Sequence, residues 1–306
     1  MELIDGLHLN TYVAPQLLEE FRNYNDDFMA VLPGAPEGAI SADGIRMNKL
    51  INNVGFLVNN ENDFVAKKML GKKGLVEWDK LDTEPTKVDD ADVRALPFDL
   101  RNEVRVKHSE AWKIGSRDYV LRKLAPAAAA AGMPILRATG ANDGTGRLRL
   151  TFADLIKYYT TIGLLNLPQS DKLNLTLCPD HQQDLLLQQS ETSNYRDGIV
   201  INKETGKLER FYKLKIWENN AAPVYTAAGA LKAQGAVAVA GDRAASIFFY
   251  APNTVWHVDS VKILYSPETT DTKSADPTSE FRLQSYALCD KTQNYGFGAL
   301  LSGIAV

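Results

Sequence analysis

The chain has 306 residues, of which 45% are apolar and 24% are charged, and this globular composition excludes disorder over most of its length. The net charge of −4 offers no basic excess for tight binding of nucleic acid through its phosphates. The cysteines Cys178 and Cys289 lack the spacing of a zinc site or a disulfide framework. The opening residues carry early acidic side chains and no continuous apolar core, so they predict neither a secretory signal nor a membrane anchor.

The first predicted element is a short amphipathic helix within residues 15–30. Its large apolar residues recur at helical spacing: Leu17, Leu18, Phe21, Tyr24 and Phe28. Proline and glycine in 31–40 then break regular structure. From there to about residue 105, strand-like pieces alternate with short polar runs and turns, which predicts a long two-stranded arm instead of a compact domain.

The longest predicted helix covers residues 108–131, with Ser109 as the candidate N-cap and Gly132 at its end. Pro126 should kink this helix or end its regular part, because proline removes a backbone hydrogen bond and clashes with the preceding turn. The glycine-rich segment 140–146 follows as a flexible, turn-rich loop that joins two regions.

Thr151, with Asp154 at the third helical position, predicts a second helix with a reciprocal cap. Residues 173–177 alternate leucine with polar side chains, which predicts a half-buried strand that Pro179 ends. Asp180 suits the start of a third helix immediately after that strand. This part of the chain therefore contains helices and strands close together.

The alternating run 211–217 predicts another strand, whereas the region 221–240, rich in alanine and glycine, favours neither a strand nor a helix. Three β-rich runs beginning at residues 246, 255 and 280 make the C-terminal part mostly sheet. The last residues, 296–306, are apolar, and such a terminus is usually buried in a fold or an interface. Helices and strands mix without a repeating βαβ order, which indicates an α+β fold.

Cys178, Asp180 and His181 form the one group that suggests catalysis, because a thiol beside a helix N-terminus can have a lowered pKa. A catalytic cysteine and histidine usually come from distant parts of a chain, so we favour a buried, structural cysteine. The segment 140–146 lacks the spacing of a phosphate-binding loop and the carboxylates of a calcium loop. We therefore predict no enzyme, no cofactor and no metal site.

Charged and aromatic residues of the predicted arm and long helix are candidates for contacts between copies of the chain. The charged candidates are Lys67, Lys68, Lys72, Lys73, Asp89, Asp90 and Asp92, and the aromatic candidates are Trp78, Trp112 and Tyr119. For the charged residues we favour the alternative that they form two solvated faces. For Trp112 and Tyr119 we favour the alternative that both pack in the chain's own core.

The order of these elements resembles the Hong Kong 97-type capsid fold of tailed bacteriophages. Three segments carry the resemblance best: 83–112, which leads into the long helix, 150–189, with its helix, strand and Pro-started helix, and the closing segment 280–306. The resemblance covers nearly the whole chain and is one of layout.

The resemblance implies how the chain divides into domains. An N-terminal arm would cover 1–40 and an extended E-loop 41–106. A peripheral domain, built on the long spine helix, would combine 107–146 with 236–306. The axial domain would cover 147–235.

The resemblance also implies a function, that of a major capsid protein. Such a protein self-assembles as pentamers and hexamers into the icosahedral shell around the double-stranded DNA genome of a tailed bacteriophage. The implied partners are other copies of the chain, separate scaffolding, portal and decoration proteins, and packaged DNA in weak, non-specific contact, without a membrane. The implied location is the virion capsid, assembled in the host cytoplasm.

Three alternatives remain open from the sequence. An encapsulin-like nanocompartment has the same shell fold but encloses a cargo enzyme instead of DNA. A phage tail or adaptor protein would also self-associate and would be built largely of sheet. A hydrolase would use Cys178 and His181, and its thiol would react with an alkylating reagent at neutral pH.

Overall fold

The computed structural model describes residues 13–24, 27–50, 59, 71–89, 100–168, 170–191, 199–202, 204, 206–220 and 222–304. Its α-helices are α1 (Ala14–Arg22), α2 (Leu100–Leu124), α3 (Phe152–Gly163) and α4 (Pro179–Glu191). Its strands in the first half are β1 (Ile40–Ser41), β2 (Gly44–Leu50), β3 (Gly71–Glu77), β4 (Asp79–Asp82), β5 (Thr86–Asp89), β6 (Ile135–Arg137) and β7 (Arg147–Leu148). Those in the second half are β8 (Leu173–Leu177), β9 (Ile199–Ile201), β10 (Leu208–Phe211), β11 (Leu214–Glu218), β12 (Val224–Tyr225), β13 (Arg243–Tyr250), β14 (Thr254–Ser266), β15 (Thr278–Lys291), β16 (Phe297–Leu301) and β17 (Gly303–Ile304).

Two larger sheets organise the described strands. The large sheet has the order β6-β16-β13-β8-β11-β10-β9, with β12 also paired to β13. The second sheet is built on the long antiparallel pair β14–β15, and both β4 and β5 pair with β15. Strands β1, β2 and β3 form a separate antiparallel sheet, and β7 pairs with β17.

Two hydrophobic cores lie on opposite faces of the large sheet. The first is formed by α1, α2, the β14–β15 pair and one face of the large sheet. The second is formed by α3, α4 and the other face. Because side chains alternate along a strand, Ile247 and Phe249 of β13 enter the first core while Phe248 enters the second. The large sheet is therefore covered on both faces over its centre.

The N-terminal helix is shorter than the spacing of the apolar residues in 15–30 predicts. α1 ends at Arg22, and a separate 3-10 turn covers Asp27–Val31. Leu17, Phe21 and Phe28 are nevertheless buried, as the spacing requires. Helix and turn lie against the first core, where the ring of Phe21 stacks on Trp112 with 3.8 Å between ring centroids.

The long helix α2 starts earlier than predicted, since it already includes Leu100, and the expected start at residue 108 is wrong. In the sequence, Val104 and Val106 alternate with polar residues as they would in a strand. In the structure, the partly buried Val104 and the buried His108 and Trp112 are four residues apart and lie on the same, inner side of the helix. Ser109 is thus an internal, buried residue and not the N-cap.

The helix α2 ends at Leu124, two residues before Pro126, so proline ends its regular part and the predicted extension to 131 is wrong. The carbonyl of Ala125 accepts a hydrogen bond from Lys291 Nζ at 2.7 Å, which satisfies one of the acceptors that a helix end exposes.

The predicted two-stranded arm is present in part. The strands β2 and β3 pair in antiparallel register from Gly44 opposite Glu77 to Leu50 opposite Gly71. The strands β4 and β5, also assigned to the arm from sequence, instead pair with β15 and belong to the second sheet. The arm's residues 51–58 and 60–70 lie outside the described part of the chain.

The helix α3 begins as predicted, with a capping box. Thr151 Oγ1 accepts a hydrogen bond from the Asp154 amide, and the Asp154 carboxylate accepts one from the Thr151 amide. The same carboxylate also accepts hydrogen bonds from the amide and hydroxyl of Thr139, at 3.0 and 2.6 Å. This contact fixes the segment before the glycine-rich loop to the start of α3.

Two strand predictions need correction. All five residues of β8 are buried, because it lies between β13 and β11 in the centre of the large sheet. Its Asn174 is accommodated by hydrogen bonds with Lys172 and Trp217. The run 211–217 is not one strand: β10 ends at Phe211, and Tyr212, with a φ of 49°, forms a tight turn into β11.

The C-terminal predictions are confirmed for the described residues. The three β-rich runs form β13, β14 and β15, and every residue of β16 is buried. Gly298 of β16 is required by close packing, because an added Cβ would lie 2.5 Å from the Tyr158 hydroxyl oxygen. No helix within the described ranges is long and apolar enough to cross a membrane.

Candidate functional site

The structure places Cys178 and His181 together but closes both off from solvent. His181 Nδ1 lies 2.7 Å from Ser246 Oγ, and its Nε2 lies 3.0 Å from Ser302 Oγ. Burial raises the pKa of the Cys178 thiol to about 11 and lowers the pKa of His181 to about 4. A buried thiol with a raised pKa is a poor nucleophile at neutral pH. This group is therefore a structural polar network and not an open catalytic pair.

The buried His181 predicts a specific pH dependence. An exposed histidine has a pKa near 6.5, so below that value the unfolded chain binds a proton that the folded chain excludes. Stability from neutral His181 is fully present above about pH 6.5 and is lost as pH falls toward 4, by about 2–3 kcal/mol. We expect His181→Gln to remove this part of the acid sensitivity in denaturant titrations of the unassembled chain. Wild type and variant curves that fall in parallel from pH 6.5 to 4 would contradict it.

The glycine-rich loop 140–146 uses its polar groups within the chain. Asn142 Oδ1 accepts hydrogen bonds from the amides of Gly144 and Gly146, at 2.9 and 3.1 Å. Hydrogen bonds, chiefly from Thr145 and also from Arg147, hold the pKa of Asp143 well below its usual range. Because these amides already have acceptors, the loop is a folded joint and not a phosphate cradle.

A buried ion pair fixes this loop to the rest of the large-sheet region. Arg147 donates to both carboxylate oxygens of Asp184 on α4, at 2.6 and 2.9 Å, and to Asp143 at 2.8 Å. Asp184 also accepts the amide hydrogen of Leu150 at 2.8 Å. The ion pair therefore joins the loop to α4, and β7, which contains Arg147, pairs with β17 near the C-terminus.

The aromatic contact candidates of α2 lie inside the chain, as the favoured alternative from sequence states. Trp112 is buried and donates from Nε1 to Ser285 Oγ at 2.6 Å. The buried Tyr119 donates to Asp79 at 2.5 Å, and its oxygen accepts from the Cys289 amide. Both rings thus fix α2 to the second sheet and leave little surface for another copy.

Trp78 occupies the junction between the arm and the second sheet. It is half-buried, donates from Nε1 to the Ser41 carbonyl at 3.2 Å, and lies 5.9 Å from the His257 ring. It packs with a small cluster that includes Ile45 and Leu288. Trp78 therefore orients the arm relative to β14 and β15.

The charged contact candidates are only partly within the described chain. Lys67, Lys68, Asp90 and Asp92 lie outside the described residues, while Lys72 and Lys73 are in β3 and Asp89 is the last residue of β5. Asp89 is opposite Thr278 of β15. Charge pairing between copies through these residues stays a prediction.

An exposed apolar loop was not recognised from the sequence. Residues 233–240 are all exposed and carry no charge, and Val237 and Val239 have 84% and 64% of their surface accessible. An ion pair between Lys232 and Asp242 holds the two ends of this loop together. Lys232 Nζ also donates to the Val237 carbonyl at 2.7 Å, and the Val239 amide donates to Asp242 at 2.8 Å. An uncharged, fixed, exposed segment of this kind is typical of a contact surface.

Within the described ranges, no three His, Cys, Asp or Glu side chains come together as metal ligands. No known family model matches the chain, and no curated protein matches its sequence. Solved structures do match its architecture. Those described below are two phage capsids and a virus-like particle, and the likeness shows the fold of this chain.

The cyanophage P-SCSP1u capsid matches with a TM-score of 0.60 and 13% identity, over 90% of this chain and 87% of the capsid chain. The Ralstonia phage GP4 capsid matches with a TM-score of 0.57 and 11% identity, over 90% and 88%. The virus-like particle from Pyrococcus furiosus matches with a TM-score of 0.55 and 11% identity, over 94% and 99%. The Hong Kong 97-type capsid fold predicted from the sequence is confirmed.

Proposed function

We propose that this chain is a major capsid protein, the repeated subunit of the icosahedral shell of a tailed bacteriophage. The observation that carries the proposal is the fold match to phage capsid subunits, which spans 90% of this chain and 87% of the cyanophage subunit. The match leaves little of either chain for a separate catalytic domain. The protein is a structural component and not an enzyme.

The architecture supports a division of the subunit into an N-terminal arm, an E-loop and two domains. In the proposal, residues 1–40 are the N-terminal arm, and the E-loop lies within 41–106, with β2 and β3 as its described strands. The peripheral domain is built on α2 and the β14–β15 sheet with β4 and β5, and the axial domain combines 147–235 with β13 and β16 of the large sheet. The described arm, β2 with β3, extends from the junction at Trp78, where it can reach a neighbouring copy. Heterologous contacts of this kind close into rings when the rotation allows it, as pentamers and hexamers do.

Other partners follow from the same proposal. The shell encloses double-stranded DNA, is assembled in the host cytoplasm and becomes the virion capsid. Separate scaffolding, portal and decoration proteins would complete the particle. Self-association is the common feature of the matched structures, which are capsids and a virus-like particle.

A second candidate is a nanocompartment shell that encloses protein cargo instead of DNA. The observation that favours it is the match to the virus-like particle from Pyrococcus furiosus, which spans 94% of this chain and 99% of that one. The cargo separates the two candidates. Shells isolated from the native source would contain a DNA genome in the first case and a cargo enzyme in the second.

Electron microscopy of the purified chain tests the proposed function. We expect closed shells of uniform diameter, formed by the chain alone or together with its native scaffold. A preparation in which the chain stays a monomer or a small oligomer under both conditions would contradict the proposal.

A further inference from the structure

A cleft of about 370 Å³ separates the C-terminal part of α2 from the base of the loop 233–240. Asp118 and Arg122 of α2 line one wall, and residues 233–236 with Pro223 line the other. Residues four apart on a helix lie on the same face. Asp118 and Arg122 can therefore both contact a single segment that enters the cleft.

The two charged side chains of the α2 wall are incompletely paired within the chain. Asp118 Oδ1 and Arg122 Nε are buried, and neither atom has a hydrogen-bond partner among the described residues. An acid four residues before a base on a helix favours an ion pair, yet these two atoms stay unsatisfied. Burial raises the pKa of Asp118, although the nearby Arg117 acts in the opposite direction. Burying charged groups without partners costs stability, so the isolated subunit is destabilised here.

The cations next to this pair are already engaged. Lys232 lines the same cleft, whereas Arg117 and Lys123 are neighbours of the pair in the sequence. Each forms an ion pair with a carboxylate elsewhere in the chain: Lys232 with Asp242, Arg117 with Asp27 at 3.1 Å, and Lys123 with Asp79 at 2.6 Å. The groups that complete the cleft must therefore come from outside the subunit.

The opposite signs of Asp118 and Arg122 restrict what can bind. The phosphates of DNA would pair with Arg122 but would be repelled by Asp118, and an acidic peptide has the same disadvantage. A second copy of the chain offers both signs side by side in exposed ion pairs, such as Lys87–Glu280 and Lys107–Glu110. Charge complementarity therefore favours a second copy.

The cleft is also continuous with the exposed, uncharged loop 233–240, with which it shares residues 233–236. The hydrogen bonds at Val237 and Val239 hold this loop in place, so the cleft is formed before anything binds. An apolar surface with polar groups at its edge has the composition of a protein interface, and arginine is enriched among the residues that contribute most to binding.

We infer that this cleft receives a segment of a second copy of the chain, which supplies the missing partners of Asp118 and Arg122. The inference rests on the proposed function and deepens it, because it assigns one contact between subunits to named residues of α2. The contact is heterologous, since the cleft of one copy receives a different surface of the next, and such contacts can close into rings. Assembly then removes a cost that the isolated subunit carries.

The single variants Asp118→Asn and Arg122→Gln test the inference, because each keeps a polar side chain and removes its charge. We expect each variant to raise the concentration needed for shell formation about tenfold or more, since a hydrogen bond to a charged group is lost from the interface. Sedimentation velocity measures this concentration. The melting temperature of the unassembled chain should equal that of wild type or rise, because an unpaired, buried charge is removed.

The two readouts separate a contact between copies from a role within the subunit. A lower melting temperature of either variant, or shell formation at the wild-type concentration, would overturn the inference. The matched controls Asp171→Asn and Arg210→Gln remove the same charges from exposed positions, and we expect both to assemble like wild type. Controls that lose as much assembly as the cleft variants would trace the effect to net charge and would also overturn the inference.

Cryo-electron microscopy of wild-type shells, formed by the chain alone or with its native scaffold, identifies the occupant directly. We expect polar groups of a neighbouring copy within hydrogen-bond distance of Asp118 and Arg122. A cleft that is empty in the shell, or that holds a scaffolding or decoration protein, would contradict the inference alone. The failure of wild type to form shells under both conditions would contradict the proposed function instead.

Discussion

The substitution Asp184→Ala is expected to lower the free energy of unfolding of the unassembled chain by about 3–5 kcal/mol, because it leaves Arg147 as a buried charge without its main partner. The Asp184 side chain is 1% exposed and forms two hydrogen bonds with the Arg147 guanidinium. The same change also removes the acceptor of the Leu150 amide, which becomes an unsatisfied buried donor. Denaturant titration monitored by tryptophan fluorescence measures the loss.

The matched control is Asp171→Ala. Its carboxylate is 71% exposed and lies 3.8 Å from Lys172, so screening by solvent leaves that pair little effect on stability. We expect the control to change the free energy of unfolding by less than about 0.5 kcal/mol. An Asp184→Ala variant as stable as this control would show that the ion pair does not hold the loop 140–146 to α4.

The double variant Val237→Asp, Val239→Asp is expected to abolish shell formation while leaving the isolated subunit intact. Both valines are exposed, so the substitution removes no core packing, and the brace at the base of the loop uses backbone atoms and the Lys232–Asp242 pair. If the loop 233–240 contacts a neighbouring copy, each assembled subunit must desolvate two new charges. Sedimentation velocity should show at least a tenfold fall in assembled material.

The shape-preserving variant Val237→Thr, Val239→Thr is the control, because it adds hydroxyl groups without charge. We expect it to assemble with a yield between those of wild type and the aspartate variant. Melting temperatures of all three unassembled chains should agree. Normal shell yield from the aspartate variant would exclude the loop from the assembly interfaces and leave the proposed function untouched.

Elements whose signals are local could be predicted from the sequence. The capping box of Thr151 and Asp154 contains its own partners within four residues, and the structure forms it. The start of α2 could not be read in the same way, because Val104 and Val106 fit both a strand and a helix until the packing of His108 and Trp112 is known. Tertiary contacts determine that this segment is helical.

The prediction that β8 is half-buried was wrong for the same reason, because burial depends on tertiary contacts. The alternation in β8 indicates a strand but does not reveal that β11 and β13 flank it and that both faces are covered. Asn174 looks like a solvent-facing residue in the sequence, yet it is buried and accepts a hydrogen bond from Trp217.

The contact surface that we assign to the loop 233–240 was missed from the sequence. The loop 233–240 had a readable signal, since its sequence has no charge, but its exposure depends on how β12 and β13 place it. The exposure of such surface residues can be predicted only once the fold is known.

The most direct test of the central claim is cryo-electron microscopy of the chain expressed with its native gene neighbours. The proposed function predicts closed icosahedral shells whose subunits have the large sheet, the β14–β15 pair and an arm that reaches a neighbouring copy. Open tubes, isolated rings or only small oligomers would contradict a capsid role and would favour a tail or adaptor protein.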